Sequence, residues 1–297
     1  MSFSTEVKNE LLKIESEPCC IHARNYGILL FGRAFSPTEL SLLTANQEIA
    51  ECYCNAVWML SGTKVSYSET AGKKYKIHIE DTSIIDKVFD NLGIDKQAAK
   101  KRINFANFQD SCCFASFLAG AFLVCGRITN PEKDYHLEFS ISSKSLCDDF
   151  LKIFDEYEVK PKLVQRNGSY TLYLKNSSDI EYTLALIGAQ NNFIYFTQTK
   201  IEKNIKNHVN RQVNFDSANL VRTINAATEQ YNAIATIYAT IGEENLPPEL
   251  REIARIRYEN REISNSQVAQ LLSESLSLSG VNHRFKRLIK IAQELKK

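Results

Sequence analysis

Four absences bound the chemistry of this chain. None of its eight cysteines forms a Cys-x-x-Cys, so the zinc-ribbon and thioredoxin spacings are missing. The N-terminal stretch MSFSTEVKNELLK has no apolar signal core. The longest apolar run, Cys112 to Gly126, is interrupted by Ser116 and flanked by Asp110 and Arg127, and it falls short of the roughly 20 residues that cross a bilayer. Charge of neither sign is in excess, with 36 Lys and Arg against 35 Asp and Glu. These absences predict a soluble, cytoplasmic protein with reduced thiols and no membrane association.

The balance in charge conceals an uneven distribution. Residues 200–297 hold 15 Lys and Arg against 11 Asp and Glu, whereas residues 1–199 hold 21 against 24. A basic end on a mildly acidic body suits a protein whose nucleic-acid site lies at that end. Apolar residues make up 44% of the 297, enough for real cores, so disorder is not expected.

An internal repeat organises the first two thirds. Gly32-Arg33 in NYGILLFGRAF matches Gly126-Arg127 in LAGAFLVCGRI, and Pro37 matches Pro131 at the same displacement. Further on, KKYKIHIEDTS (73–83) matches GSYTLYLKNSS (168–178), and Leu92-Gly93 matches Ile187-Gly188. A Cys-Cys pair precedes each copy, at 19–20 and 112–113. Two copies, 1–98 and 104–196, predict one pseudo-two-fold domain rather than a solenoid. Each copy reads as an apolar helix ending at Gly-Arg, alternating strand segments such as YHLEFSIS, a second helix such as 143–157, a hairpin and a last helix near 83–92 or 178–190. In the second copy the hairpin turns at Asn167-Gly168. The fold class expected is α+β, a duplicated αββαββα domain followed by an all-α domain. Ala119, Gly120, Ala121 and Gly126 are small enough to let the two long helices approach closely.

Leu118-Ala119-Gly120 through Gly126 resembles the LAGLIDADG motif of homing endonucleases, and the αββαββα reading is similar to their fold. In those nucleases a carboxylate from each copy binds the divalent metal that activates water. The corresponding positions here are Phe31 and Cys125, neither of them a hard oxygen ligand. No catalytic residue, metal or cofactor is therefore expected. Cys125 reads as buried filler, the Cys-Cys pairs as helix-entry packing, and Cys52-x-Cys54 with His22 or His78 fits no common zinc spacing.

Residues 197–215 carry Lys200, Lys203, Lys206 and Arg211 against Glu202 alone, and read as a linker that either tracks phosphates or is merely solvated. Asp216 then suits an N-cap for a helix over 216–242. Within 216–297, Pro247-Pro248 opens a helix, and Ser264 caps a short one that includes Gln267 and whose expected buried stripe is Val268, Leu271 and Leu272. A turn follows over Leu276–Gly280, and then a last helix from Val281. That layout is a helix-turn-helix. Val281, Phe285, Leu288, Ala292 and Leu295 form the core stripe of the last helix, and from Val281 onward there are six Lys and Arg against one Glu. Asn282 and Arg284 suit base edges. Lys286, Arg287 and Lys290 suit phosphates, as do Ser279 and the helix N-terminus; His283, Ser264 and Gln267 complete the expected double-stranded DNA site. A solvated basic helix is the competing explanation of the same pattern.

Taken together, SFSTEVKNEL, the PCC at 18–20, NRQVNFDSANLVRT (210–223), LPPELREIARIR (246–257) and SGVNHRFKRL (279–288) resemble the WhiA family of bacterial sporulation and cell-division regulators, over essentially the whole chain. The resemblance implies DNA binding through the helix-turn-helix, a role in transcription and ties to cell division and chromosome segregation. It also implies RNA polymerase or another transcription regulator as a protein partner. One departure is Leu278, where the resemblance leads one to expect Lys. Two other functions compete: a metal-dependent nuclease, and a scaffold whose body recruits division or transcription proteins.

Overall fold

The computed structural model describes residues 2–98, 100–166 and 168–295, which form two compact units, one up to Lys203 and the other from Asn204. In the first unit a short helix α1 (Phe3–Leu11) precedes the repeats, capped by Ser2 and burying Phe3, Val7 and Leu11 at intervals of four. Repeat one follows as α2 (Pro18–Leu30), β1 (Ala34–Ser36), β2 (Glu39–Thr44), α3 (Gln47–Ser61), β3 (Ser68–Glu69), β4 (Tyr75–Ile79) and α4 (Thr82–Asn91). Repeat two is α5 (Ser111–Cys125), β5 (Gly126–Ile128), β6 (Leu137–Ile141), α6 (Lys144–Asp155), β7 (Lys162–Arg166), β8 (Ser169–Leu174) and α7 (Ser177–Leu186). The two sheets are antiparallel and have the same order, β1-β2-β4-β3 and β5-β6-β8-β7. The duplicated αββαββα architecture is thus realised element for element.

The matched residues do matched work. Asp81 and Asn176 cap α4 and α7, accepting from Ser83 N–H at 2.8 Å and Ser178 N–H at 2.9 Å. Gly93 (φ 57°) and Gly188 (φ 90°) end the same helices in left-handed turns, in which Ile94 N–H reaches Phe89 O and Ala189 N–H reaches Leu184 O, each at 2.9 Å. Strands alternate as a half-covered sheet should: Leu137, Phe139 and Ile141 are buried while Ser140 is exposed. The β7–β8 hairpin pairs Arg166 with Ser169 and passes through Gly168 at φ 79°; Asn167, the other expected turn residue, lies outside the described residues.

Helices α2 and α5 pack at close range because glycine faces backbone on both sides. A Cβ on Gly120 would overlap the carbonyl oxygen of Arg24, and one on Gly27 would overlap that of Phe117. Arg24 and Phe117, like Gly27 and Gly120, are equivalent positions of the repeat, so each contact is the two-fold mate of the other.

Helix α8 departs from expectation. It runs unbroken from Gln190 to Thr240, so residues 197–215 are helical rather than a linker, and Asp216 caps nothing. In mid-helix, Asp216 accepts from Gln212 Nε2 at 3.2 Å as an i,i+4 partner. The helix start is instead capped by Glu10 of α1, which accepts from Asn191 N–H at 2.6 Å and Asn192 N–H at 3.1 Å.

The second unit closes around Ile234 and Ile237 of α8, with α9 (Pro248–Glu259), α10 (Asn265–Leu271) and α11 (Leu278–Glu294) supplying Leu250, Ile253, Val268, Val281, Phe285 and Leu288. The last helix begins three residues earlier than its hydrophobic stripe suggests. Ser277 is its N-cap, accepting from Gly280 N–H at 3.2 Å, which puts Ser279 and Gly280 in the first turn rather than in the loop.

Candidate nucleic-acid interface

The short helix α10 is held by a complete capping box. Ser264 Oγ accepts from Gln267 N–H at 3.2 Å, and Gln267 Oε1 accepts from Ser264 N–H at 2.8 Å. Both polar side chains are therefore engaged in shaping the helix. Val268 and Leu272 bury its inner face, whereas Leu271, expected in the same stripe, is exposed. The following turn is pinned by Glu252 of α9, whose carboxylate accepts from Ser273 N–H and Oγ, each at 2.8 Å.

Helix α11 divides by face. Val281, Phe285, Leu288 and Ala292 are buried, and Ser279, His283, Lys286 and Lys290 recur at four, three and four on the opposite, exposed side. Neither His283 nor Lys286 has an intramolecular partner among the described residues. Lys290 meets Glu294 only at 4.0 Å, with both side chains exposed, an arrangement of little energetic weight. The Leu278 and Ser279 N–H groups at the helix entry have no partner among the described residues either, which leaves a positive helix end beside the stripe.

The remaining expected residues are engaged elsewhere. Arg284 sits at the edge of the core stripe, 16% exposed, and is paired with Glu274 at 2.6 Å. Arg287 pairs with Glu249 of α9 at 3.1 Å, and the Arg287 hydrogen bond and charge help hold that carboxyl below the usual range, after a backbone hydrogen bond of its own. Asn282 is exposed, but its Oδ1 accepts from Asn265 Nδ2 at 2.8 Å. Among the described residues of α11, the cations facing outward without strong partners are thus Lys286 and Lys290, and the two residues expected at base edges are both tethered.

Arg257, near the end of α9, carries none of the expected DNA contacts. It is fully buried. Its Nε donates to Gln230 Oε1 at 3.0 Å, Nη1 to the carbonyls of Asn260 (3.2 Å) and Ile263 (2.6 Å), and Nη2 to Asn265 Oδ1 at 2.8 Å. The guanidinium carbon also lies 5.3 Å from the centroid of the Phe285 ring. One buried cation thereby joins α8, the α9–α10 loop, α10 and α11.

The position of the nuclease carboxylates has a different character. Phe31 is buried against the rings of Phe117 and Phe150, at centroid distances of 5.7 and 5.0 Å. Burial pushes the Cys125 thiol up to about 12 and draws the neighbouring Lys8 ammonium down to about 8. The pocket between them has Lys8, Arg33 and Arg127 in its lining and no Asp or Glu, so it lacks the carboxylates with which such sites hold Mg²⁺. Among the described residues, no helix is long and apolar enough to cross a membrane.

Comparison with known proteins agrees with this architecture. Residues 209–292 match the WhiA C-terminal HTH domain model and residues 114–206 the WhiA LAGLIDADG-like domain model. The protein named "Probable cell division protein WhiA" from Ruminiclostridium cellulolyticum is 34% identical over 309 residues, covering 100% of this chain and 99% of that one. Its counterpart of the same name from Bacillus subtilis is 34% identical over 322 residues, covering 100% and 98%. The crystal structure of full-length WhiA from Thermatoga maritima superposes with a TM-score of 0.61 at 27% identity, covering 99% of each chain. Duplicated LAGLIDADG-like body, helix-turn-helix and end-to-end similarity converge, and the chain belongs to the WhiA family.

Proposed function

We propose that this protein is a sequence-specific, double-stranded-DNA-binding regulator of transcription, serving cell division, chromosome segregation and sporulation, and that it has no nuclease activity. The observation that carries the DNA reading is the exposed stripe Ser279, His283, Lys286 and Lys290 on a helix whose other face is core. Lys286 and Lys290 neutralise phosphates, Ser279 and the open N–H groups at the start of α11 take another, and His283 lies where a major-groove helix meets base edges. Asn282 and Arg284 contribute by holding α11 against α10 and the turn rather than as primary base readers. The absence of carboxylates around Phe31 and Cys125 supports the non-enzymatic half of the reading.

The test is duplex binding by the full-length chain, measured by fluorescence anisotropy across a salt series. The slope of log affinity against log salt should fall by about two when Lys286 and Lys290 are both replaced by Ala, one for each phosphate no longer neutralised. Unchanged affinity and slope in that double variant would overturn the assignment. Plasmid incubated with a large excess of protein and Mg²⁺ should remain uncut.

A further inference from the structure

Cys19 and Cys20 occupy the second and third positions of α2, and Cys112 and Cys113 occupy the second and third positions of α5. The displacement of 93 residues between the pairs is the one that relates Gly27 to Gly120 and Arg24 to Phe117 at the helix crossing. The packing that brings the two backbones together therefore also brings the two helix entries together. All four Sγ atoms lie within 4.8 Å of one another. Cys20 and Cys113 are buried, Cys19 is half-buried and Cys112 is exposed. Neither helix has a side-chain cap, since Glu17 and Asp110 make no capping hydrogen bond. The first-turn N–H dipoles of both helices are left to favour negative charge at the sulfurs.

We propose that Cys19, Cys20, Cys112 and Cys113 form a structural zinc site that staples the two repeats together at the end of the α2–α5 pair opposite Phe31 and Cys125. Geometry selects the class of metal. A tetrahedral thiolate site with metal–sulfur bonds of about 2.3 Å spaces its sulfurs about 3.8 Å apart, a contraction of less than about 1 Å from the widest separation present. An iron–sulfur cluster interposes several irons and sulfides between its cysteines and needs a wider cage. Four thiolates this close repel one another, and a divalent cation at their centre offsets that repulsion. The net charge of −2 that remains is stabilised by the two helix N-termini. Four protein ligands leave no position for water, so the ion holds structure and does no hydrolytic chemistry. Two disulfides between the helices are the competing use of the same sulfurs. They require pairwise approach, whereas the mutual proximity of all four is what a single central ion requires.

The site escapes motif searches because its ligands come as two adjacent pairs from two repeats, and only the fold unites them. The test uses the full-length chain, purified under argon with reductant and no chelator. Elemental analysis should find about one zinc per chain. After stripping, Co²⁺ should give the intense visible bands and sulfur-to-cobalt charge transfer of a tetrahedral tetrathiolate. Cys112→Ser removes an exposed thiol without disturbing the core; it should weaken metal binding by at least about tenfold and abolish the tetrathiolate spectrum. Cys52→Ser, outside the cluster, should change neither. Cys19→Ser serves as a second ligand variant if the buried Cys20 and Cys113 variants fail to fold. Folded, reduced protein with no bound zinc and no cobalt–thiolate charge transfer would overturn the proposal. So would metal-free protein in which only four of the eight thiols react after unreduced denaturation, the signature of two disulfides.

Discussion

Asn265 accepts a 2.8 Å hydrogen bond from Arg257 Nη2 and donates its own amide to Asn282 Oδ1, also at 2.8 Å. A fully buried guanidinium is thus linked in two steps to a side chain on the exposed part of α11. The burial of Arg257 draws its pKa below that of a free guanidinium, and its four hydrogen bonds are what make a charge at that depth tolerable. Replacing Arg257 with Met leaves Gln230, Asn265 and two carbonyls without their donor. The second unit should lose about 2–4 kcal/mol, and Arg257→Lys should recover only part of it because an ammonium cannot span four acceptors in one plane. Urea denaturation of the full chain checks this, and a variant as stable as the parent would show that the network carries no stability.

The reciprocal glycines make a sharper demand on shape. In Gly120→Ala the new methyl meets the Arg24 carbonyl, and in Gly27→Ala it meets that of Phe117. Backbone cannot rotate aside as a side chain can, so α2 and α5 must separate. Each change should cost about 1–3 kcal/mol or more by overpacking, even though Ala is the better helix former. Thermal melts of the single and double variants test it. Because both contacts lie in one crossing, the double variant should cost less than the sum of the two.

Residues that act locally are legible in the sequence, and residues that act through distant partners are not. The cap at Ser264 announces itself within a few positions, and Asp81, Asn176, Gly93 and Gly188 stand out as matched positions of the repeat, because each satisfies backbone groups of its own turn. Helix α8 misleads because polar residues surround its middle. Yet Ile201, Ile205, Val209 and Val213 recur at four, and that period is the sign that the helix continues through 197–215. Asp216 has the chemistry of a cap but lies in mid-helix, where it accepts from Gln212. The charge of Arg284 points to the outer face, although its place three after Val281 and four before Leu288 already puts it beside the core. Arg257 and the four cysteines have no such signal. Gln230 lies 27 positions from Arg257, and the cysteine pairs are 93 apart, so only tertiary packing brings either set together.

Acid should loosen the first unit through Asp149. Burial by itself would raise this carboxyl, but two 2.6 Å bonds from Arg102, the Ile103 N–H at 3.1 Å and Lys152 at 3.1 Å outweigh it and hold the pKa below the ordinary range. A folded-state value below the unfolded one gives stability that is complete above the unfolded pKa of about 3.9 and is lost as pH falls through the folded value. Asp149→Asn should therefore be less stable than the parent at pH 7 by about 1–2 kcal/mol, a modest figure because Arg102 is half exposed and screened. The difference between the two proteins should shrink below about pH 4. Denaturant titrations across that range check the sign, and a gap that widened on acidification would exclude Asp149 as its source.

Folding and DNA binding can be separated at Ser279. This residue occupies the second position of α11, next to the unpaired N–H groups at the helix entry and on the same face as His283, Lys286 and Lys290. A carboxylate there suits the positive end of the helix, so Ser279→Glu should leave thermal stability unchanged or raise it by about 0.3–1 kcal/mol. In the proposed DNA complex the same charge stands where a phosphate would sit and repels it. Duplex affinity should fall by at least about tenfold at moderate salt, with the deficit narrowing as salt screens the repulsion. Ser279→Ala adds no charge and should change affinity far less. A Ser279→Glu protein that melts normally and binds duplex like the parent would place the DNA surface on some other face of the unit.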